Sequence, residues 1–320
     1  MKSIAITGIS GYIGGRLLSR LEEVPGTDEI VGIDIKPPTK SSAKLRFYCQ
    51  EILQPLGDIF IENEVDCAIH LAFVLKPTHN KKGARQVDIG GISNFLDACR
   101  QARVKHILYL SSHTVYGAYP DNPVPLKEDT TLRPLVGFQY SSDKVEAERI
   151  LTSFAASQGD ICLTILRSCP VIGPNAGNSV VTSMFTPVMI RVAGFDPALQ
   201  FVHEDDLAEL IVAMLMQKKG GIFNVAGDGE VRYTELARLS GKRTVTLPDK
   251  LLRLLMSFSW ALRLQSESPP SGLEFIKYPP VVSTEKLKKE TGFQFHYSSK
   301  EAVASFLHAT ARRRKKRGTS

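Results

Sequence analysis

Short apolar runs bounded by turn residues alternate with longer stretches of helical period through the first half of the chain. Ile4-Ala5-Ile6, Glu29–Ile33, Val65–Leu71, His106–Leu110 and Ile161–Leu166 read as buried strands. Between them, residues 11–24, 53–63, 82–103 and 138–158 place apolar positions at helical spacing. Such alternation predicts βαβ units, and so a parallel sheet covered by helices on both faces. The second half is more irregular. Gly173-Pro174-Asn175-Ala176-Gly177-Asn178 is a loop by composition. Leu199–Val202 reads as a short strand, His203–Gln217 as a helix, and Gly220–Gly227 as one more sheet strand ending in glycine. Leu251–Leu264, interrupted by Arg253 and Arg263, reads as an amphipathic helix that covers the body of the protein rather than lying on a membrane. The expected architecture is α/β, a doubly wound parallel sheet with a smaller C-terminal lobe. Residues 1–173 plus 199–229 form the first unit, 174–198 plus 230–311 the lobe, and 312–320 a basic disordered tail.

Charge and cysteine usage narrow the class. Of the net charge of +7, Arg312–Arg317 supplies six, so the body of this 320-residue chain is near neutral. That excludes a basic nucleic-acid-binding surface on the body; an anionic membrane or nucleic-acid contact through the tail is a rival reading. The five cysteines, Cys49, Cys67, Cys99, Cys162 and Cys169, show no C-x-x-C spacing and fit a reducing, cytoplasmic setting. No secretory signal and no run of eighteen apolar residues is visible, so no transmembrane segment is expected.

The first strand breaks into Thr7-Gly8-Ile9-Ser10-Gly11-Tyr12-Ile13-Gly14 and restarts as a helix. Gly8 permits the tight turn, Gly11 lets a pyrophosphate approach the backbone, and Gly14 lets the helix pack against the sheet. The helix N-terminus then faces the anion. Asp34 ends the next strand, where a carboxylate grips both hydroxyls of an adenosine ribose and repels a 2′-phosphate. The pair of signals predicts a dinucleotide, NAD in preference to NADP.

A second constellation points to proton transfer. The strand His106–Leu110 runs into Ser111-Ser112-His113-Thr114-Val115-Tyr116-Gly117, and a later helix opens with Tyr140-Ser141-Ser142-Asp143-Lys144. Tyr140 and Lys144 are one helical turn apart and share a face. An ammonium beside a phenol lowers its pKa, so Tyr140 is expected to exchange the proton of an alcohol or carbonyl. Ser112 is expected to donate a hydrogen bond to the same oxygen. His113 either lines the substrate pocket or packs locally. His203-Glu204-Asp205-Asp206 opens a helix and is not read as a metal site.

On these motifs the chain resembles the NAD-dependent epimerase/dehydratase family, the extended short-chain dehydrogenases/reductases. The resemblance extends through Asp34, His70-Leu71-Ala72, Leu166-Arg167…Gly173-Pro174, Phe201-Val202-His203…Asp206-Leu207-Ala208 and Phe223-Asn224-Val225-Ala226-Gly227. It implies a Rossmann-type domain with bound NAD, Ser112-Tyr140-Lys144 as catalytic residues and a C-terminal substrate-binding lobe. It also implies cofactor contacts: Gly8, Gly11, Tyr12, Ile13 and Gly14 in the loop, Asp34 and Ile35 at the ribose, and Glu51 and Ile52 by the adenine. Leu71, Ala72 and Phe73 would lie along the pyrophosphate and nicotinamide ribose. Ser111, Tyr140, Lys144, Pro170 and Val171 would lie by the nicotinamide end, with Ser112, His113 and Tyr140 touching substrate. Relatives are often homodimers.

Four departures bear on the substrate. Sugar-nucleotide members usually carry asparagine where this chain has Pro170, and arginine just before Phe201-Val202-His203, where it reads Ala198-Leu199-Gln200. A third arginine is replaced around Lys277-Tyr278, and the asparagine of an N-x-x-G-T segment by Asp88. A diphosphate would lose its charge-assisted contacts. The expected function is therefore an epimerase or dehydratase, on a nucleotide-sugar, or a dehydrogenase/reductase of a smaller or apolar alcohol or ketone. A non-catalytic NAD-sensing regulator needs no tyrosine–lysine pair.

Overall fold

The computed structural model describes residues 3–177, 188–265 and 269–318, without side chains beyond residue 313. Seven parallel strands form the central sheet: β1 (Ser3–Thr7), β2 (Glu29–Asp34), β3 (Leu45–Cys49), β4 (Cys67–His70), β5 (His106–Ser112), β6 (Cys162–Ser168) and β7 (Gly221–Val225). Their order is β7-β6-β5-β4-β1-β2-β3. Strand side chains alternate between two cores, as period two requires. Ile4, Ile6, Leu108 and Leu166 pack on one face with the helices Tyr12–Leu21 and Glu204–Met216. Ala5, Ile107, Tyr109 and Ile165 pack on the other with Gly91–Gln101 and Gln139–Gln158. This is the Rossmann-type, doubly wound architecture, and its order reverses between β1 and β4.

Several elements differ from the sequence reading. The edge strand β3 was not anticipated: it is only partly buried, and Lys44 and Arg46 break its apolar run. The helix expected over 53–63 is shortened to Gly57–Glu62, because Pro55 disfavours helix at the residue before it. The helix expected over 82–103 comprises Lys81–Arg85, a π-turn at Gln86–Gly90 and Gly91–Gln101. Leu199–Val202 is not one strand. Ala198–Leu199 pairs antiparallel with Val231–Arg232, and Val202–His203 pairs parallel with Val171–Ile172. Val188–Val192 and Arg243–Leu247 form a further two-stranded ladder.

Two expectations on facing and order are corrected. The helix Asp249–Ala261 forms, but it does not cover the body with its apolar side; of its residues only Leu252 is buried. The basic tail is not disordered throughout: the last helix runs Ser299–Gly318. Arginine and lysine are good helix formers, and cations suit a helix C-terminus.

The motif residues beneath the sheet edge form one buried polar clamp. Arg167 on β6 donates from Nη2 to Glu148 of the helix Gln139–Gln158 at 2.8 Å, with both side chains 4% exposed. Its Nη1 donates to the Tyr116 hydroxyl (2.9 Å) and to the Glu128 carbonyl (2.9 Å). The Tyr116 hydroxyl donates to Asn224 of β7 at 2.8 Å, and Ser111 donates to Glu148. The clamp thus ties β5, β6, β7 and the helix carrying Tyr140 into one frame.

Candidate active site

Every strand end that points at the β1/β4 crevice carries a residue of interest, because parallel strands all deliver their carboxyl ends to one edge. At β1, Gly8 has φ +77°, and a Cβ there would sit 2.7 Å from the Ala72 nitrogen. A Cβ on Gly14 would sit 2.4 Å from the Gly8 carbonyl oxygen and 2.5 Å from that of Ile9. Real side chains do not fit at either position, so the loop lies flat against the helix start and leaves room for a phosphate. Gly14→Ala is expected to destabilise the fold by about 1–3 kcal/mol through overpacking, read as a lowered thermal midpoint. An unchanged midpoint would contradict this packing.

The chain after β4 closes against that loop. His70 is buried, its Nδ1 2.8 Å from the Thr7 hydroxyl, and burial pushes its pKa down to about 3. At the end of β2, Asp34 accepts from the Ser10 N–H (3.0 Å) and the Ile35 N–H (2.8 Å). Its carboxylate is oriented by two backbone donors and keeps lone pairs for hydroxyl groups.

At β5, Ser112 is 7% exposed, and its hydroxyl oxygen accepts from Thr114 N–H (3.2 Å) and Thr114 O–H (3.0 Å). Ser112 and Tyr140 line the same cavity. Tyr140 is edge-on to Phe73 (5.6 Å between ring centres) and to Phe138 (6.3 Å). Lys144 is buried, donates to the Leu110 carbonyl at 2.7 Å and lies 3.7 Å over the Phe73 ring.

The electrostatics differ from the expectation that Lys144 lowers the Tyr140 pKa. Burial raises the phenol above its ordinary value; the Ser112 hydroxyl opposes this, and the Asp88 charge adds to it. Burial also lowers Lys144 to about 7, against the pull of Asp88 and Glu148. The desolvated ammonium is only partly charged at neutral pH, which weakens its hold on the phenolate. Asp88, 2% exposed on the π-turn, accepts from Val74 N–H at 2.7 Å, and burial raises it to about 7. His113 is buried, with Nδ1 unpartnered among the described residues, and burial lowers it to about 4, so it is neutral at pH 7.

Most of these residues, though not His70 or Asp88, line one cavity of about 660 Å³. It brings together Gly8, Gly11, Tyr12, Ile13, Gly14, Asp34, Ile35 and Ile52 with Leu71, Ala72 and Phe73. Ser111, Ser112, His113, Tyr140, Lys144, Pro170 and Val171 line it too. Glu51 does not line it: its side chain is exposed, and Gln50 takes that place after its N–H pairs with the Asp34 carbonyl (3.0 Å). Phe138, Met256, Pro269, Phe275 and Ile276 also line it, unmarked by any motif. Only their apolar character marked them, and apolar residues are everywhere in a core. His203 caps the helix Glu204–Met216 by accepting from Asp205 N–H at 3.2 Å.

The model of the NAD-dependent epimerase/dehydratase family matches residues 4–226. An uncharacterized protein of Mycobacterium tuberculosis is 25% identical over 314 residues, spanning 96% of this chain and 83% of its own. Among solved structures, the UDP-glucose 4-epimerase of Thermotoga maritima, with UDP-glucose, superposes with a TM-score of 0.76 at 20% identity, over 97% of this chain and 99% of that one. The dTDP-glucose 4,6-dehydratase of Bacillus anthracis, in complex with NAD, gives 0.74 at 16% identity, over 98% of each chain. Both share the fold described above.

Proposed function

The chain belongs to the NAD-dependent epimerase/dehydratase family, and from that premise we propose that it binds NAD and moves hydride and proton at an alcohol or carbonyl through Ser112, Tyr140 and Lys144. The observation that carries this reading is that the glycine cradle, Asp34 and these three side chains line one continuous cavity. Residues 1–173 plus 199–229 then serve as the NAD-binding domain and 174–198 plus 230–311 as the substrate lobe, in a cytoplasmic enzyme.

NAD supplies the hydride acceptor or donor. Gly8, Gly11 and Gly14 leave backbone room for its pyrophosphate, and Asp34 accepts from the adenosine ribose hydroxyls. Leu71, Ala72, Phe73, Pro170 and Val171 wall in the nicotinamide half. Ser112 donates to the substrate oxygen, and Tyr140 takes or returns its proton. Lys144, held by the Leu110 carbonyl, supplies positive charge near that phenol. With a cationic ring bound close by, the phenolate gains the stabilisation that burial alone denies it.

Asp34→Ala is expected to weaken NAD about tenfold or more, because each hydrogen bond to a charged group contributes about 1.5–3 kcal/mol, and to narrow the preference over NADP. Calorimetric titration with both nucleotides measures this; unchanged NAD affinity contradicts the assignment.

A specific observation favours the second substrate reading, an apolar alcohol or ketone, over a nucleotide-sugar. Lys144 is the one cation among the described residues lining the cavity. Lys277, nearby, is already paired with Asp249 and Glu274 at 3.1 Å each. Residues 178–187 and 266–268, outside the described residues, contain no lysine or arginine. Among the described residues that line the cavity, a diphosphate would therefore meet no side-chain cation besides Lys144.

A further inference from the structure

The helix Asp249–Ala261 serves the cavity on one side and meets solvent on the other. Inward, Leu252 packs with Val192 and Leu273, and Met256 lines the cavity. Outward, Leu251, Leu254, Leu255, Phe258 and Leu262 recur at i, i+3, i+4, i+7 and i+11, a stripe about 100° wide. They are left in water: Leu254 is 66% exposed, Phe258 61% and Leu262 55%, with Leu264 just beyond at 70%. Single exposed leucines are ordinary, but a contiguous stripe marks a surface that meets something apolar.

Charge indicates what that is. Lys250 and Arg263, both exposed, stand at the two ends of the stripe. The helix's one carboxylate, Asp249, is held by Arg253 and Lys277. Hydrocarbon flanked by cations matches an anionic bilayer, where apolar side chains enter the headgroup boundary and cations meet the lipid charge. The apolar wall also continues outward. Met256 belongs to this helix, and Leu75, another cavity-lining residue, is 48% exposed.

We propose that the helix Asp249–Ala261 docks the protein on an anionic lipid surface, and that the substrate is a membrane-resident lipophilic alcohol or ketone that reaches the cavity past this helix. The substrate half rests on the hydride-transfer reading above; the docking half stands on the stripe and its cations alone.

The test is co-sedimentation of the full chain with phosphatidylcholine vesicles, with and without phosphatidylglycerol, comparing wild type with Leu254→Glu/Phe258→Glu. Both positions are exposed, so the fold is expected to persist, and NAD titration on the same samples checks it. Wild type should pellet with the anionic vesicles, and the double variant should lose about tenfold or more in partitioning. Three outcomes overturn docking by this helix. In the first, wild type fails to pellet; in the second, the variant pellets equally, which would assign binding to Arg312–Arg317; in the third, wild type is a dimer that the variant breaks without any vesicle binding. Failure of wild type to bind NAD would instead sink the hydride-transfer reading and leave docking standing. For the substrate half, long-chain ketones of graded length should raise the thermal midpoint of the NAD-loaded protein, and UDP-glucose should not. A response to UDP-glucose, or none to any ketone, overturns it.

Discussion

Tyr140→Phe is expected to lower turnover by about 10²–10⁴-fold while NAD binds as before. The substitution deletes one hydroxyl and keeps the ring that contacts Phe73 and Phe138. The cavity wall is preserved, and what is lost is the hydroxyl proposed to exchange the substrate proton. The size follows from general acid–base catalysis, where a positioned proton donor contributes about 3–5 kcal/mol to the barrier. Single-turnover rates with saturating NAD measure it. A regulator that only senses NAD would lose nothing, so retained function in this variant would remove the enzyme reading.

Arg167→Met is expected to destabilise the fold by about 3–5 kcal/mol, the cost of leaving a buried charge without its partner. Glu148 would keep its contact with Ser111 but lose the guanidinium, and the Tyr116 hydroxyl and Glu128 carbonyl would lose a donor. Arg167→Met/Glu148→Leu is expected to recover most of that loss, because replacing both members of a buried pair is often close to neutral. Urea midpoints of the three proteins decide it. If the double variant is no more stable than the single one, the destabilisation comes from packing and not from the orphaned carboxylate.

What was legible in the sequence was local. Gly8, Gly11 and Gly14 lie within one turn of chain, and Tyr140 and Lys144 within one turn of helix, so spacing alone carried their geometry. The clamp was not legible. Arg167 meets Glu148 across 19 positions, and Tyr116 meets Asn224 across 108. Motifs marked most of these residues, but only folding shows that they bond one another. The edge strand β3 escaped because a half-exposed strand does not need an apolar run. The helix Asp249–Ala261 was legible as a helix, yet amphipathicity says only that one side is apolar, not what covers it. The rise of the Tyr140 pKa is not legible for a related reason: sequence shows a cation one turn away but not the burial of the phenol.

The central claim is that the glycine cradle and Asp34 hold NAD against Ser112, Tyr140 and Lys144. The most direct measurement is to denature the purified protein, identify any released nucleotide by mass, and titrate NAD and NADP into protein freed of nucleotide. The account predicts NAD in the released fraction, or saturable NAD binding to the emptied protein that is tighter than NADP binding. Preference for NADP would contradict the role of Asp34, and binding of neither nucleotide would contradict the account as a whole.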